Sequence, residues 1–181
     1  MSGAVPARPA GEWGSKVVRE ELISGLTERF GATSATTFRN QQRIQIPADR
    51  LSDAMVALRH DFAFDMLVDV TCVDYLSARE ATDRFGLVYL MTNTDSGERL
   101  TVRVMLNDPD PTVASVAPIW EAANWLEREV WDMFGIRFEG HPDLRRILLP
   151  EEFVAHPLRK DYPLQGRGER HNFPAIQRNK A

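Results

Sequence analysis

Three carboxylates lie close together in a stretch with helical spacing. Glu127, Glu129 and Asp132 are the kind of paired acids that general acid–base catalysis uses. On a helix, however, Glu129 and Asp132 are neighbours at i,i+3, and Arg128 pairs with Asp132 at i,i+4, as on any charged helix face. No second motif supports catalysis, so we favour a structural role for these residues.

The same helix end places aromatic side chains beside a carboxylate. Trp131 and Phe134 share a helix face with Glu127. A buried charge requires a partner, so we expect an ion pair in a core or at an interface.

The histidines and the single cysteine offer little for metal or redox chemistry. The four histidines are His60, His141, His156 and His171, and they lack close metal-ligand spacing. A site that combines them with Asp143 or Asp161 stays open, but we favour histidines satisfied by backbone hydrogen bonds. Cys72, the only cysteine, is expected to be a small core residue and cannot ligate an iron–sulfur cluster alone.

Composition describes an ordinary globular protein. Of its 181 residues, 43% are hydrophobic and 27% charged, with a net charge of −4, which argues against nucleic-acid binding by the chain as a whole. Glycine-rich nucleotide loops are absent from the sequence. The first residues lack the apolar core of a signal peptide, and residues 85–91 are too short an apolar run to span a bilayer, so we expect a cytosolic location.

Two proline-led basic segments dominate the C-terminal part of the chain. Residues 141–148 read HPDLRRIL and residues 156–163 read HPLRKDYP. Proline removes a backbone donor and biases the preceding residue toward extended conformations, so these segments need a surface to lie on. Tyr162 and Phe173 could stack on RNA bases, but the interleaved acids favour a protein-binding arm.

Apolar periodicity predicts an α+β domain. Helices are predicted over 18–30 and 51–62, strands at 44–46, 66–72, 85–91 and 100–106, and a helical region over 112–134 that is broken near Pro118. The turn at 93–97 predicts an antiparallel hairpin. The fold class is α+β, a small mixed or antiparallel sheet with helices on one face, in a domain over 17–137 between a disordered lead-in over 1–16 and an extended arm over 138–181.

The residues of 127–163 closely resemble a known family. The pattern E-R-E-x-x-D-M-F-G-I from residue 127, with the two basic segments, is similar to the subunit designated C of bacterial NADH:quinone oxidoreductase, or respiratory complex I. In mitochondria the same protein is called the thirty-kilodalton subunit. The upstream pattern from about Val17 also fits. The sequence departs from the family at Ala155, where a glycine is expected.

The resemblance implies a structural subunit without cofactors or catalytic residues. It would sit in the peripheral arm, on the cytoplasmic side of the cell membrane, against the quinone-site and terminal-cluster subunits, while FMN and Fe–S clusters lie in partner subunits. The membrane would be contacted only indirectly and nucleic acid not at all. The residues expected at the partner interface are Glu127, Arg128, Glu129, Asp132, His141, Leu144, Arg145, Arg146, Leu148, His156, Leu158, Arg159, Lys160, Asp161 and Tyr162.

We further expect the arginines of the arm to pair with carboxylates or carbonyls, some of them on a partner. Leu144, Leu148 and Leu158 are expected to be buried beside them. The alternatives are the equivalent subunit of a membrane-bound hydrogenase or ferredoxin-dependent complex, an RNA-binding module, and a small hydrolase using Glu127 or Glu129.

Overall fold

The structure, a computed structural model, describes residues 20–38, 41–78 and 81–169. The predicted lead-in over 1–16 lies outside these residues. The elements in chain order are α1 Glu20–Phe30, β1 Thr33–Phe38, β2 Gln41–Gln45, α2 Leu51–His60, β3 Met66–Asp74, β4 Phe85–Thr92, β5 Arg99–Leu106, β6 Thr112–Ala114, α3 Ala123–Phe134 and β7 Arg137–Glu139. The predicted mixed α+β class is confirmed.

Strands β1 to β5 form one mixed sheet in the order β1-β2-β5-β4-β3. Only β2 and β5 pair in parallel, and the other pairs are antiparallel. The predicted hairpin between β4 and β5 is confirmed. Its turn is closed by the Asn93 side chain, which accepts hydrogen bonds from the Asp95 and Ser96 amides, and by Gly97 with a φ of +77°.

The core lies on one face of this sheet. Alternate residues of β4 and β5, among them Leu87, Tyr89 and Val102, join one apolar cluster with Leu26 of α1 and Leu58 of α2. The period of two along each strand places these side chains on the same face. Cys72 belongs to this cluster, as predicted, and burial raises the pKa of its thiol to about 12.

The predicted helical region over 112–134 is wrong in its first half. Thr112–Ala114 forms β6, which pairs in parallel with β7, and a turn region precedes the helix, which begins at Ala123. Thr112 and Val113 are β-branched and favour extended structure. Their partner strand comes only after α3, so no local pattern could reveal the pairing.

Strand β1 is absent from the predicted elements, because its sequence, TSATTF, has no apolar alternation. It completes the sheet by pairing with β2. Beyond β7, residues 140–168 contain turns and bends but no helix or strand. Among the described non-glycine residues, positive φ occurs at Ala63 and Ser77 and not at Ala155. The alanine at position 155 therefore needs no left-handed backbone.

No helix within the described ranges combines the length and the apolar character needed to cross a membrane.

Candidate functional site

The C-terminal end of α3 organises the start of the arm through one carboxylate. Asp132 is fully buried. It accepts hydrogen bonds from the backbone amides of Ile147, Leu148 and Leu149 at 2.9–3.1 Å, and the Arg146 guanidinium approaches it at 2.5 Å. Burial raises the pKa of Asp132, but the amides and the guanidinium outweigh it and hold this pKa below its usual value.

Arg146 extends this contact along the arm. Its guanidinium also donates to the Ala155 carbonyl at 3.0 Å and lies over the rings of Trp131 and Phe153, each 5.6 Å from the ring centroid. The His156 Nδ1 is 3.0 Å from the Asp132 carbonyl. Arg146 therefore holds both basic segments against α3.

The predicted i,i+4 pair between Arg128 and Asp132 is wrong. Arg128 instead donates to the carbonyls of Arg145 and Arg146, both at 3.1 Å, and lies over the Trp125 ring. Asp132 takes a guanidinium from the arm because the arm folds back over the buried side of α3. A partner distant in sequence replaces the local one.

Glu127 is fully buried, but its contacts differ from the expected ion pair. It accepts hydrogen bonds from Ser115 Oγ at 2.6 Å and from the Val116 amide at 2.7 Å. His141 Nε2 lies 4.0 Å from the Glu127 carboxylate and closer, at 3.0 Å, to the Asn124 carbonyl. Burial raises the pKa of Glu127 to about 7, although its two hydrogen bonds act in the opposite direction.

The predicted backbone hydrogen bonds of the histidines are confirmed for His141 and His156. The Asp143 amide donates to His141 Nδ1, so the ring proton belongs on Nε2, which faces the Asn124 carbonyl. His171 lies outside the described residues. Among the residues that the structure describes, no group of three His, Cys, Asp or Glu side chains is placed to hold a metal ion.

A second charged cluster anchors the arm at the far end of β3. Arg84 bridges Asp74 at 3.2 Å, Asp161 at 2.9 Å and Asp108. Asp74 also accepts a hydrogen bond from the Lys160 amide. These contacts join β3, the loop after β5 and the arm.

Arg159 strengthens the same anchor. It donates to the Phe134 carbonyl at 2.6 Å and to Asp108 at 3.1 Å, and it lies over the Phe85 ring. Like Arg146, it therefore finds its partners within this chain. Arg145 also pairs internally, with Asp143 at 2.8 Å, but both of these side chains are about half exposed or more.

The predicted interface residues divide into three groups by exposure. Those that this chain itself buries are Glu127, Arg128 and Asp132. Those that are half-buried are His141, Leu144, Arg146, His156, Arg159 and Tyr162. Those that face outward are Glu129, Arg145, Leu148, Leu158, Lys160 and Asp161. Leu148 and Leu158 are thus not buried by this chain itself, and their burial at a partner interface stays a prediction.

Four residues of these clusters carry no signal in the sequence that marks them as site residues. They are Asp74, Arg84, Asp108 and Ser115. Asp74 follows the predicted strand over 66–72 and Asp108 follows the predicted strand over 100–106. Each therefore has a place in the predicted order of elements, but nothing in the sequence relates them to the arm. Burial of Glu127 also weighs against the hydrolase alternative at that residue, since a substrate cannot reach its carboxylate.

Several known proteins resemble this chain in sequence. The model of the family "Respiratory-chain NADH dehydrogenase, 30 Kd subunit" matches residues 44–168. The subunit designated C of the NADH-quinone oxidoreductase of Trichlorobacter lovleyi is 46% identical over 69% of this chain and 76% of its own length. Its counterpart of the same designation in Acidithiobacillus ferrooxidans is 43% identical over 83% of this chain and 78% of its own length.

Solved structures share the fold. A trypsin-resistant fragment of Nqo5 matches 69% of this chain and 98% of its own, with 33% identity and a TM-score of 0.63. A chain of an archaeal membrane-bound sulfane sulfur reductase matches 90% of this chain and 95% of its own with a TM-score of 0.68, and its 24% identity supports likeness of fold alone. The span that the family model matches includes α2, strands β3 to β7, α3 and both anchors of the arm. This chain belongs to the 30 kDa subunit family of respiratory-chain NADH dehydrogenase.

Proposed function

We propose that this chain is a structural subunit, without cofactors and without catalytic residues, of the peripheral arm of a proton-pumping NADH:quinone oxidoreductase. It clasps the quinone-site and terminal-cluster subunits on the cytoplasmic side of the membrane. Partner subunits carry the FMN and Fe–S clusters that pass electrons from NADH to quinone. Family membership and the names of the relatives support this proposal.

The observation that carries the proposal is the outward display of apolar side chains on an anchored arm. Arg146 and Arg159 tie the arm to its own domain, while Leu148, Val154 and Leu158 remain exposed. Exposed leucines on an irregular segment gain nothing from water, and burial against a partner would stabilise them. The internal anchors fix their positions before binding, which lowers the entropic cost of association.

The partner interface is accordingly narrower than the motif. Among the predicted residues, we assign direct contacts to the outward-facing ones, chiefly Arg145, Leu148, Leu158 and Lys160. The buried Arg128 and Asp132 act by shaping the arm, while the buried Glu127 holds the segment after β6.

A double variant of the arm tests this proposal. Leu148→Ala with Leu158→Ala should leave the melting of the free chain nearly unchanged, because both side chains are exposed. In cells, it should lower the amount of assembled complex and its NADH:quinone activity together, since fully burying each leucine is worth about 1.5–3 kcal/mol.

The matched control is Val56→Ala, which trims an exposed apolar residue on α2. It should leave assembly unchanged. Arg145→Ala should behave like the leucine variant but more weakly. Normal assembly and activity of the leucine variant would contradict the proposed role of the arm.

The absence of cofactors has its own test. The chain purified anaerobically should show no visible absorption band and no stoichiometric iron. A chromophore that remains bound through purification would contradict this part of the proposal.

A further inference from the structure

The main sheet has one face that the helices cover and one that they leave open. Leu90 opposes Thr101 in the β4–β5 pair, and Thr92 opposes both Met66 on β3 and Arg99 on β5. None of these residues belongs to the core cluster, so they line the face away from the helices. We call this surface the open face.

A groove with a volume of about 400 Å³ runs across the open face. Met66 and Val68 line it from β3 and are 48% and 50% exposed, while Leu90 of β4 lines it as well. The register shift between Leu67 and Asp69 is a bulge that adds Val68 to this edge of the groove. In two- and three-layer folds, a row of apolar side chains on one face of a sheet is buried by another layer that packs against it.

The opposite side of the groove is cationic. Arg99 lines it and is exposed, and no carboxylate among the described residues lies within ion-pair distance of its guanidinium. Strand register places Arg103 on the same face. The register also places the carboxylate of Asp69 on this face, opposite Leu90 of β4. The surface thus combines an apolar edge with an excess of positive charge.

This charge argues against occupants from the chain itself. Residues 1–19 carry three basic residues and one acidic one, and residues 170–181 carry three basic residues and no acidic one. A second copy would bring the same arginines face to face. Like charges at a desolvated contact are unfavourable in each case.

We propose that the open face is the docking site for an acidic amphipathic helix of another subunit in the same complex. The helix lays its apolar side on Met66, Val68 and Leu90 and places a carboxylate against Arg99. A helix here adds a third layer to the fold, on the side of the sheet away from α1 and α2. The inference rests on the proposed function, because it requires a complex in which the chain is a subunit.

Charge introduced into the groove tests this docking. Full-length chains with Val68→Glu or Arg99→Glu, expressed in place of the native subunit, should fold normally because both positions are exposed. Each should lower the amount of chain that comigrates with the complex on native gels by about tenfold, since either change sets a carboxylate against an acidic partner. Val56→Glu, an exposed apolar position on α2, is the matched control and should comigrate normally.

A photocrosslinker at position 68 identifies the occupant in the purified complex. The expected product joins position 68 to an acidic amphipathic peptide of another subunit, while a crosslinker at position 56 does not yield that product. A crosslink to this chain, either to residues 1–19 or 170–181 or to a second copy, would overturn the inference. Normal comigration of both groove variants would overturn it as well.

The two proposals fail in distinguishable ways. If the Leu148 and Leu158 variant loses assembly while the groove variants assemble normally, the arm carries binding and the open face does not. If the unmodified chain never comigrates with a respiratory complex, the proposed function itself fails.

Discussion

The pKa values of two buried carboxylates on α3 shift in opposite directions because their donors and their depth of burial differ. Asp132 receives a guanidinium and three backbone amides, so its charged form is favoured and its pKa is lowered. Glu127 receives one hydroxyl and one amide, which do not offset burial, and its pKa rises to about 7. Glu127 also lies deeper in the protein than Asp132, so deeper burial and fewer, uncharged donors together raise its pKa above that of Asp132.

Adjacent arginines give a matched measurement of the Asp132 anchor. Arg146→Ala should lower the free energy of unfolding by about 3–5 kcal/mol, because it leaves a fully buried carboxylate without its cation. Arg145→Ala removes a cation whose pair with Asp143 is exposed and should cost under about 1 kcal/mol. Urea denaturation of the two free chains measures the difference. Equal losses would mean that the Arg146 pair adds no more than a surface pair.

Glu127 should make stability fall as the pH rises. Between about pH 4.5 and 7 the unfolded chain ionises Glu127 while the folded chain keeps it protonated, so the free energy of unfolding decreases by up to roughly 3 kcal/mol over this range. Glu127→Gln mimics the protonated acid, since its amide can still accept from Val116 and can donate to Ser115 Oγ. The variant should gain on the unmodified chain as the pH rises from 5 to 8, as measured by melting at each pH.

The contribution of Glu127 is isolated by the difference in stability between the Glu127→Gln variant and the unmodified chain. Burial lowers the pKa of His156 in the folded chain. At a pH between its folded and unfolded pKa values, the unfolded chain therefore binds a proton that the folded chain does not. His156 thus makes the free energy of unfolding rise with pH, in a range that overlaps the one in which Glu127 makes it fall. The pKa values of Asp74 and Asp132 are lowered in the folded chain. These two acids stabilise the fold at any pH above their unfolded pKa values, and the effect is lost only as the pH falls through their folded pKa values. A constant difference between Glu127→Gln and the unmodified chain from pH 5 to 8 would exclude a raised pKa for Glu127.

At the scale of elements, the end of α3 determines where the arm can lie. Gly135 ends the helix in the left-handed conformation, with a φ of +78°, and its amide donates to the Trp131 carbonyl. A Cβ at Gly135 would come within 2.7 Å of the His156 ring. The glycine is needed both for the turn and for the close approach of the arm.

Two glycines with the same φ separate these requirements. Gly140 also has a φ of +78°, but a Cβ there would meet no atom within 4 Å. Gly140→Ala should therefore lower the free energy of unfolding only by the cost of the left-handed conformation, about 1–2 kcal/mol. Gly135→Ala should lose this and also displace His156, which a larger drop in melting temperature and a shifted His156 NMR resonance would show. If the two variants lost the same stability, His156 would not be packed tightly against the helix end.

At the scale of the whole molecule, charged clusters join segments that are far apart in the sequence. Arg84 links the end of β3 and the loop after β5 to Asp161 of the arm, while Arg146 links the arm to α3. The arm is therefore held at two points. Between them, Phe153 is buried and its ring lies 5.9 Å from that of Tyr162.

Removing one anchor should free part of the arm without unfolding the sheet. Arg84→Ala leaves Asp74 buried without its cation, so hydrogen exchange of the Lys160 and Tyr162 amides should accelerate while β4 and β5 stay protected. Arg50→Ala, which removes an exposed pair with Asp49, is the control and should change neither. Unchanged protection at Lys160 in the Arg84 variant would show that Arg159 alone holds this end.

The sequence by itself determined the elements whose periodicity is local. The apolar stripes of α1 and α2 and the alternation in β3 and β5 follow from side chains a few residues apart, and the structure places these elements within a few residues of the predictions. Strand β1 and the short strands β6 and β7 carried too little local signal. The family could also be identified from the motif over 127–163, because its residue types and spacing are specific.

Only the tertiary structure decided which charged groups meet. Helical spacing correctly made Arg128 and Asp132 neighbours, but Asp132 pairs with Arg146 and Arg128 binds backbone carbonyls of the arm. Likewise, no spacing relates Arg84 to Asp161. Periodicity reports the geometry of one element, whereas an ion pair forms wherever folding brings two opposite charges within contact distance. For this reason the sequence could indicate that the arm needs a surface, and the fold alone supplied that surface from the arm's own domain.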